Sequence, residues 1–406
     1  VRVLKTIRKA EYAELIGLFF VQGASLGMWL VPLGAVLDAH GLGVVKPYAY
    51  AATAVAAFVS PLIFGAMADR HASPVKVLRG LALATAAAMT LATTGIKLGW
   101  NPWLVFASIL FQALCASPTT SLSSAIVFAG LSDSQKEFGP IRAMMTSGWV
   151  VGCWIISALG ADTSAAAGYI GVLAWLVLAG FTFFLPDVPP PKSAENLKLR
   201  QRMGWDALTL LKNPDHRVVF LTAALFNIPL AALLPFTPPH LEELGLHHVT
   251  AWMTLAQATE IIAMFLLGKL LAGWRLKWIF TLGLGLGLIR YALCALNSRM
   301  GLLVGTTLHG AAFTLVLITS QIYLDQRVDA QWRARAQALM YLMTNGAGNL
   351  FGFLGTGWWF NDCTGRGGTN WSLFWGGLAG MVALVLAYFL AAYRGIGAGP
   401  KRGETI

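Results

Sequence analysis

Apolar runs about as long as a bilayer is thick recur twelve times along the 406 residues, centred near 25, 58, 87, 115, 151, 176, 228, 260, 287, 312, 347 and 383. A helix rising 1.5 Å per residue needs about 20 mostly apolar residues to cross hydrocarbon. Lipid offers the backbone no hydrogen-bond partner, so runs of this kind must satisfy themselves as helices. Composition agrees, with 57% hydrophobic and 12% charged residues against about 25% charged in soluble domains. Turn chemistry or charge separates the runs, as in "DAHGLGVVKP", "ADRHASPVK", "LSDSQKEFGP" and "GADTS". The expected fold is an all-α integral membrane protein with 12 transmembrane helices in two six-helix bundles.

The longest break runs from Pro186 to His216 and is polar, Pro-rich and basic. It divides the chain into an N-terminal bundle (1–185), a cytoplasmic central loop (186–216) and a C-terminal bundle (217–406). An even helix count puts both termini and this loop on one side. That side collects 23 Lys and Arg, the opposite side four (Lys46, Lys97, Arg299, Arg366), and Arg142 and Arg290 fall inside runs. The bias predicts cytoplasmic termini. It also explains the net charge of +11 without nucleic acid, because the cations flank membrane spans. "VRVLKTIRKAEYAE" reads as a cytosolic lead into the first helix, since the apolar run behind it is too long for a signal peptide. Cys115, Cys153 and Cys294 lie within apolar runs and Cys363 outside them, with no metal-ligand spacing and no disulfide framework. No HExxH, GxSxG or Cys/His cluster supports an enzyme, and no metal or cofactor is expected.

Polar side chains inside the runs are the candidates for function, because an acid at mid-bilayer costs about 2.5–3.5 kcal/mol on insertion scales. Glu260 sits in the middle of the eighth run, with Gln257 one turn before it on the same face. Arg290 lies at the same expected depth in the antiparallel ninth helix, close enough in principle to pair. In the fifth helix Arg142, Thr146 and Trp149 repeat at i, i+4, i+7, a stripe with a charge, a hydroxyl and an aromatic ring. Gln22, Ser25 and Trp29 form a similar stripe in the first helix, and His309 and Phe313 share a face in the tenth. "ASPTTSLSS" in the fourth and "YLMTNGAGN" in the eleventh fit close packing and bending. For each helix alone a structural explanation serves: an ion pair, a snorkelling arginine, a core histidine. Taken together, the faces point to a shared wet cavity, since lipid penalises such groups elsewhere.

An internal echo supports two halves: "FGAMADRHASPVK" follows the second helix and "LLGKLLAGWRLKW" the eighth, with Gly65 and Gly268 203 residues apart. "GAMADR" with Lys76 resembles the loop 2–3 signature of the major facilitator superfamily. That resemblance implies a conformational gate of Asp69, Arg70 and Lys76. More specifically, "QGASLGMWLVPLG" (22–34), "FGPIRAMMTSGWVVGCW" (138–154), "AQATE" (256–260) and "WRARAQALMYLMTNGAGNLFG" (332–352) resemble the bacterial nucleoside:proton symporters of that superfamily. The resemblance implies a substrate pocket drawn from both halves, including Arg142, Thr146, Trp149, Gln257, Glu260, His309 and Phe313. Gln22 and Asn227 are further candidates, and Glu260, Arg290 and His309 are those for proton coupling. Two family amides of the seventh helix fall on Ala231 and Leu234, and His309 replaces a family Tyr. Asn227, one turn before Ala231, is placed to compensate, and Thr314 stands where the family can carry an Asp.

The expected function is secondary active transport, a proton-coupled uptake of nucleosides by alternating access. An uncoupled facilitator or exchanger, or a proton-coupled carrier of a sugar or another small polar metabolite, is the alternative. The expected location is a bacterial cytoplasmic (inner) membrane. Expected partners are a nucleoside-like substrate, the proton and the lipid bilayer, with no nucleic acid and a monomeric working state.

Overall fold

Asn-Pro and Ser-Pro pairs after polar breaks start several of the helices in the computed structural model, which describes residues 12–69, 73–131, 134–186 and 205–395. The Asn101 side chain accepts from Trp103 N and Asn213 from Asp215 N, each just ahead of a proline at the first helical position. A cap oxygen and a residue without an N–H together settle the donors a helix start leaves unmet.

In chain order the helices are α1 (Ala13–Ala39, broken at Val31–Pro32), α2 (Lys46–Asp69), α3 (Pro74–Lys97), α4 (Pro102–Gly130), α5 (Ser134–Ala158) and α6 (Ala166–Phe181). Then follow α7 (Pro214–Glu243), α8 (Val249–Trp252 and Leu255–Gly273), α9 (Leu276–Ala295), α10 (Arg299–Arg327), α11 (Ala330–Tyr341 continuing to Asp362) and α12 (Trp371–Ala392). Two short antiparallel strands, β1 (Thr364–Gly365) and β2 (Gly368–Thr369), link α11 to α12. Among the described residues nine helices are long and apolar enough to cross a membrane, and Gly43–Val59 and Ala166–Phe181 are shorter apolar helices. The region expected to be a central loop carries a 3₁₀ helix at Trp205–Lys212 before α7 begins.

Contacts gather the chain into two compact units. The first comprises Val1–Asn196 with Leu234–Thr254; the second comprises Leu197–Leu233 with Leu255–Ile406. The changes of unit fall next to two breaks in regular helix. In α7 a turn at Ala231–Ala232 follows Pro229, which removes a backbone donor. In α8 the break is at Met253–Thr254.

Close backbone approach organises each unit. In the first, α1 crosses α5 so tightly that a Cβ at Gly23 would land on the Met145 carbonyl, and one at Gly148 on the Phe20 carbonyl. Small residues allow this contact, which replaces the hydrophobic force that lipid does not supply between helices. In the second, Gly310 of α10 lies against the Ala256 carbonyl and the Glu260 amide of α8. The Thr259 hydroxyl adds a bond to the Thr307 carbonyl at the same crossing. Two π-helical turns interrupt this unit, Thr314–Ile318 in α10 and Leu342–Gly348 in α11. Such turns are common at functional sites.

Candidate functional site

Arg290 is, among the described residues, the least exposed charge of the second unit, 1% exposed within α9. Its Nη1 donates to His309 Nδ1 at 2.6 Å and to the Tyr291 hydroxyl at 3.2 Å. Tyr291 in turn donates to the Pro229 carbonyl at 2.6 Å, tying the cluster to the α7 kink. The Arg290 Nε has no hydrogen-bond partner among the described residues. A guanidinium can only donate, so His309 Nδ1 must accept and the imidazole is neutral with its proton on Nε2. The His309 ring stacks with Phe313, centroids 6.2 Å apart, and the π turn of α10 begins at the next residue, Thr314. Thr314 is fully buried and its hydroxyl also has no partner among the described residues. Of the two expected associations, His309 with Phe313 is present as drawn. Arg290, expected beside Glu260, spends Nη1 on His309 and Tyr291.

On α8, Gln257 and Glu260 are half-buried and one turn apart. The Gln257 Oε1 is sealed from solvent without a partner among the described residues. Gly310 accounts for how the two helices meet here: any side chain at that position would push α10 off the Glu260 backbone. Asn227 of α7 is buried and committed to α11, where its Nδ2 donates to the Thr344 carbonyl at 2.8 Å and to Asn349 Oδ1 at 2.6 Å. It braces the π turn of α11 with the amide expected to compensate at Ala231, which is buried at the α7 turn.

In the first unit, Arg142, Thr146 and Trp149 are half-buried along α5, and the Arg142 guanidinium lies 5.9 Å from the Phe19 ring centroid. This contact joins the α5 stripe to α1. Gln22 is fully buried, and both ends of its amide go to α4: Nε2 donates to Thr119 Oγ1 at 3.0 Å and Oε1 accepts from Ser123 Oγ at 3.3 Å. Ser25 bonds its own helix at the Val21 carbonyl. Of the expected gate, Lys76 is exposed in the first turn of α3, whereas the Asp69 side chain and Arg70 lie outside the described residues.

Sequence reasoning missed two buried polar sites at the other ends of these helices. Lys46, counted among the outer charges, is 3% exposed and pairs with Asp38 at 2.6 Å. Asp162 accepts from Ser157 Oγ at 2.7 Å and from Thr250 N at 2.9 Å, while Ser157 Oγ accepts from Ala251 N at 2.9 Å. Together they cap the start of α8 from the end of α5. "GADTS" reads as an ordinary polar turn, and nothing in its composition shows that another helix begins against it.

The profile of the Nucleoside H+ symporter family matches residues 11–396. YegT of Escherichia coli (strain K12) is 31% identical over 403 residues, covering 94% of this chain and 93% of that protein. The xanthosine permease of the same strain is 25% identical over 396 residues, covering 92% and 94%. A crystal structure of a mutant of the nucleoside transporter NupG superposes with a TM-score of 0.87 at 25% identity, covering 95% of this chain and all of that one. The helical architecture, the buried polar cluster on α8–α10 and these likenesses lead to one assignment: the chain is a major facilitator fold of the nucleoside:proton symporter family, a transporter and not an enzyme.

Proposed function

We propose that this protein takes up nucleosides together with protons by alternating access across a bacterial cytoplasmic membrane, with both termini in the cytoplasm. Membership of the symporter family carries the substrate class. The 23-to-4 division of Lys and Arg supports the orientation. In the second unit Gln257, Glu260, His309 and Phe313 bind substrate. In the first, Arg142, Thr146 and Trp149 do so, with Trp149 and Phe313 offering flat faces to a base. Gln22 and Asn227 hold their helices in place from behind, because both ends of the Gln22 amide and the Nδ2 of Asn227 are already engaged with neighbouring helices. Asp69, Arg70 and Lys76 form the gate at the cytoplasmic end, and the protein acts as a monomer.

The observation that carries the mechanism is the bond from Arg290 to His309. A proton arriving at His309 Nδ1 would have to break that bond and place a second cation beside a buried guanidinium. With Arg290 and His309 engaged with each other, we assign the coupling role to the half-buried carboxyl of Glu260, and Arg290 provides a fixed charge it responds to. Glu260 and Gln257 then meet substrate hydroxyls as donor and acceptor.

Reconstitution into liposomes tests this. The wild type accumulates radiolabelled nucleoside when an inward proton gradient is imposed. Glu260→Gln loses that accumulation while still equilibrating nucleoside across the membrane. Gradient-driven accumulation by Glu260→Gln at the wild-type level removes the acid from coupling.

A further inference from the structure

Tyr291 stands between the charged cluster of the second unit and the break in α7. Its ring is fully buried and stacks on Trp375, centroids 6.0 Å apart. For packing alone a phenylalanine would serve, yet the hydroxyl accepts from Arg290 Nη1 at 3.2 Å and donates to the Pro229 carbonyl at 2.6 Å. That carbonyl also takes the Ala232 amide at 3.1 Å. In an unbroken helix it would take the amide of Leu233 instead; here regular helix stops at Leu230 and resumes at Leu233. The tyrosine hydroxyl therefore stands in for the bond that the break gives up, which is one way a side chain holds a helix kinked.

The other end of this link is the His309 face. A guanidinium Nη1 has two hydrogens, and this one gives the first to Tyr291 and the second to His309 Nδ1. Any shift of His309 toward a ligand therefore moves the nitrogen that Tyr291 also accepts from. A cationic donor polarises the hydroxyl and strengthens the bond the hydroxyl makes onward. Loosening at Arg290 consequently weakens the hold on Pro229, in a stretch where the chain leaves the second unit just past Leu233. Tyr323 offers a contrast on the same helix: its buried hydroxyl bonds His216 Nδ1 at 2.8 Å near the start of α7, well before the break. We infer that Tyr291 is a positioning residue for transport, whose hydroxyl carries the state of the Arg290–His309 pair to Pro229 and so sets the shape of α7 when the site is occupied. The inference rests on the reading that His309 belongs to the nucleoside site. Tyr291 itself touches no ligand in that reading, so its hydroxyl governs turnover and not affinity.

Hydrogen exchange of the full chain in mild detergent, read by mass spectrometry, tests this with whichever of adenosine, uridine and inosine the wild type binds most tightly. In the wild type the nucleoside changes exchange of the amides at 230–234 by about five-fold or more. Tyr291→Phe binds nucleoside nearly as tightly but loses that change, and in liposomes it turns over about ten-fold more slowly per binding site. Tyr323→Phe, which removes a buried hydroxyl from the start of α7, keeps the change. A melting curve checks that Tyr291→Phe is folded; if it is not, Pro229→Ala, which returns a donor to the ladder beside the break, must at least halve the change. A wild-type response in Tyr291→Phe overturns the inference. So does an equal loss in Tyr323→Phe, which would make both tyrosines braces, or lost binding in a folded Tyr291→Phe, which would put the residue in the site itself. A wild type that binds nucleoside without any change at 230–234 overturns the inference and leaves the transport reading standing, whereas a wild type that binds none of the three defeats both.

Discussion

Gln22 in the first unit and Arg290 in the second are both sealed from solvent, at 0% and 1% exposure, yet their surroundings differ in kind. The Gln22 amide uses its Nε2 and Oε1 on two hydroxyls of α4, and the Thr119 hydroxyl passes its own proton on to the Ala116 carbonyl. Every group in that chain is neutral and matched. Around Arg290 a fixed charge meets a neutral imidazole, and Arg290 Nε, Gln257 Oε1 and Thr314 Oγ1 remain without partners among the described residues. A buried network that is fully matched holds helices together; one that keeps a charge and unmet polar atoms can respond to a ligand or a proton. Among the described residues the first unit also has unmet atoms, Trp29 Nε1, Trp175 Nε1 and the hydroxyls of Thr93 and Thr250, but none of them carries a formal charge.

Substitutions can break this contrast, and the largest effect is expected at Arg290. Arg290→Gln should lower nucleoside uptake at least a hundred-fold while the protein still reaches the membrane, because it removes the fixed charge that His309 accepts from. Uptake within a few-fold of wild type would make the cluster a structural brace like that of Gln22. A middling effect is expected at Gln22→Leu: a lower melting temperature, a loss of about 1 kcal/mol for two interhelical bonds at about 0.6 kcal/mol each, and unchanged nucleoside affinity. Lost binding in a stable Gln22→Leu protein would return that residue to the substrate site. The smallest belongs to Ser123→Ala, which should cost about 0.6 kcal/mol in the same melting assay and leave uptake unchanged.

The fold was largely legible because bilayer thickness and backbone hydrogen bonding leave a long apolar run so few options. The candidate site was half legible. Period along one helix is local, so the His309–Phe313 stack and the α5 stripe of Arg142, Thr146 and Trp149 could be read from spacing alone. Partners across helices could not. Depth counting set Arg290 level with Glu260, but depth says nothing of rotation about each helix axis, and it did not foretell that Nη1 would meet His309 on the following helix. Asn227 illustrates the same limit, since its offset from Ala231 suggested a substrate contact while the packing gave its amide to Thr344 and Asn349. Lys46 was expected as one of the few cations away from the basic side, and nothing in "GLGVVKP" foretold its burial against Asp38.

By itself, the sequence determined that this chain is a helical membrane transporter, where its polar residues lie along each helix, and which family it resembles. These properties follow from hydropathy, period and motif, all of which are carried by neighbouring residues. Only the tertiary structure decided which polar groups are spent on one another, and so separated the matched amide of Gln22 and the engaged Nδ2 of Asn227 from the charged cluster at Arg290. The reason is geometric. A hydrogen bond between helices depends on how closely they approach and how each is turned, and here glycines such as Gly148 and Gly310 set that approach far along the chain from the groups they bring together.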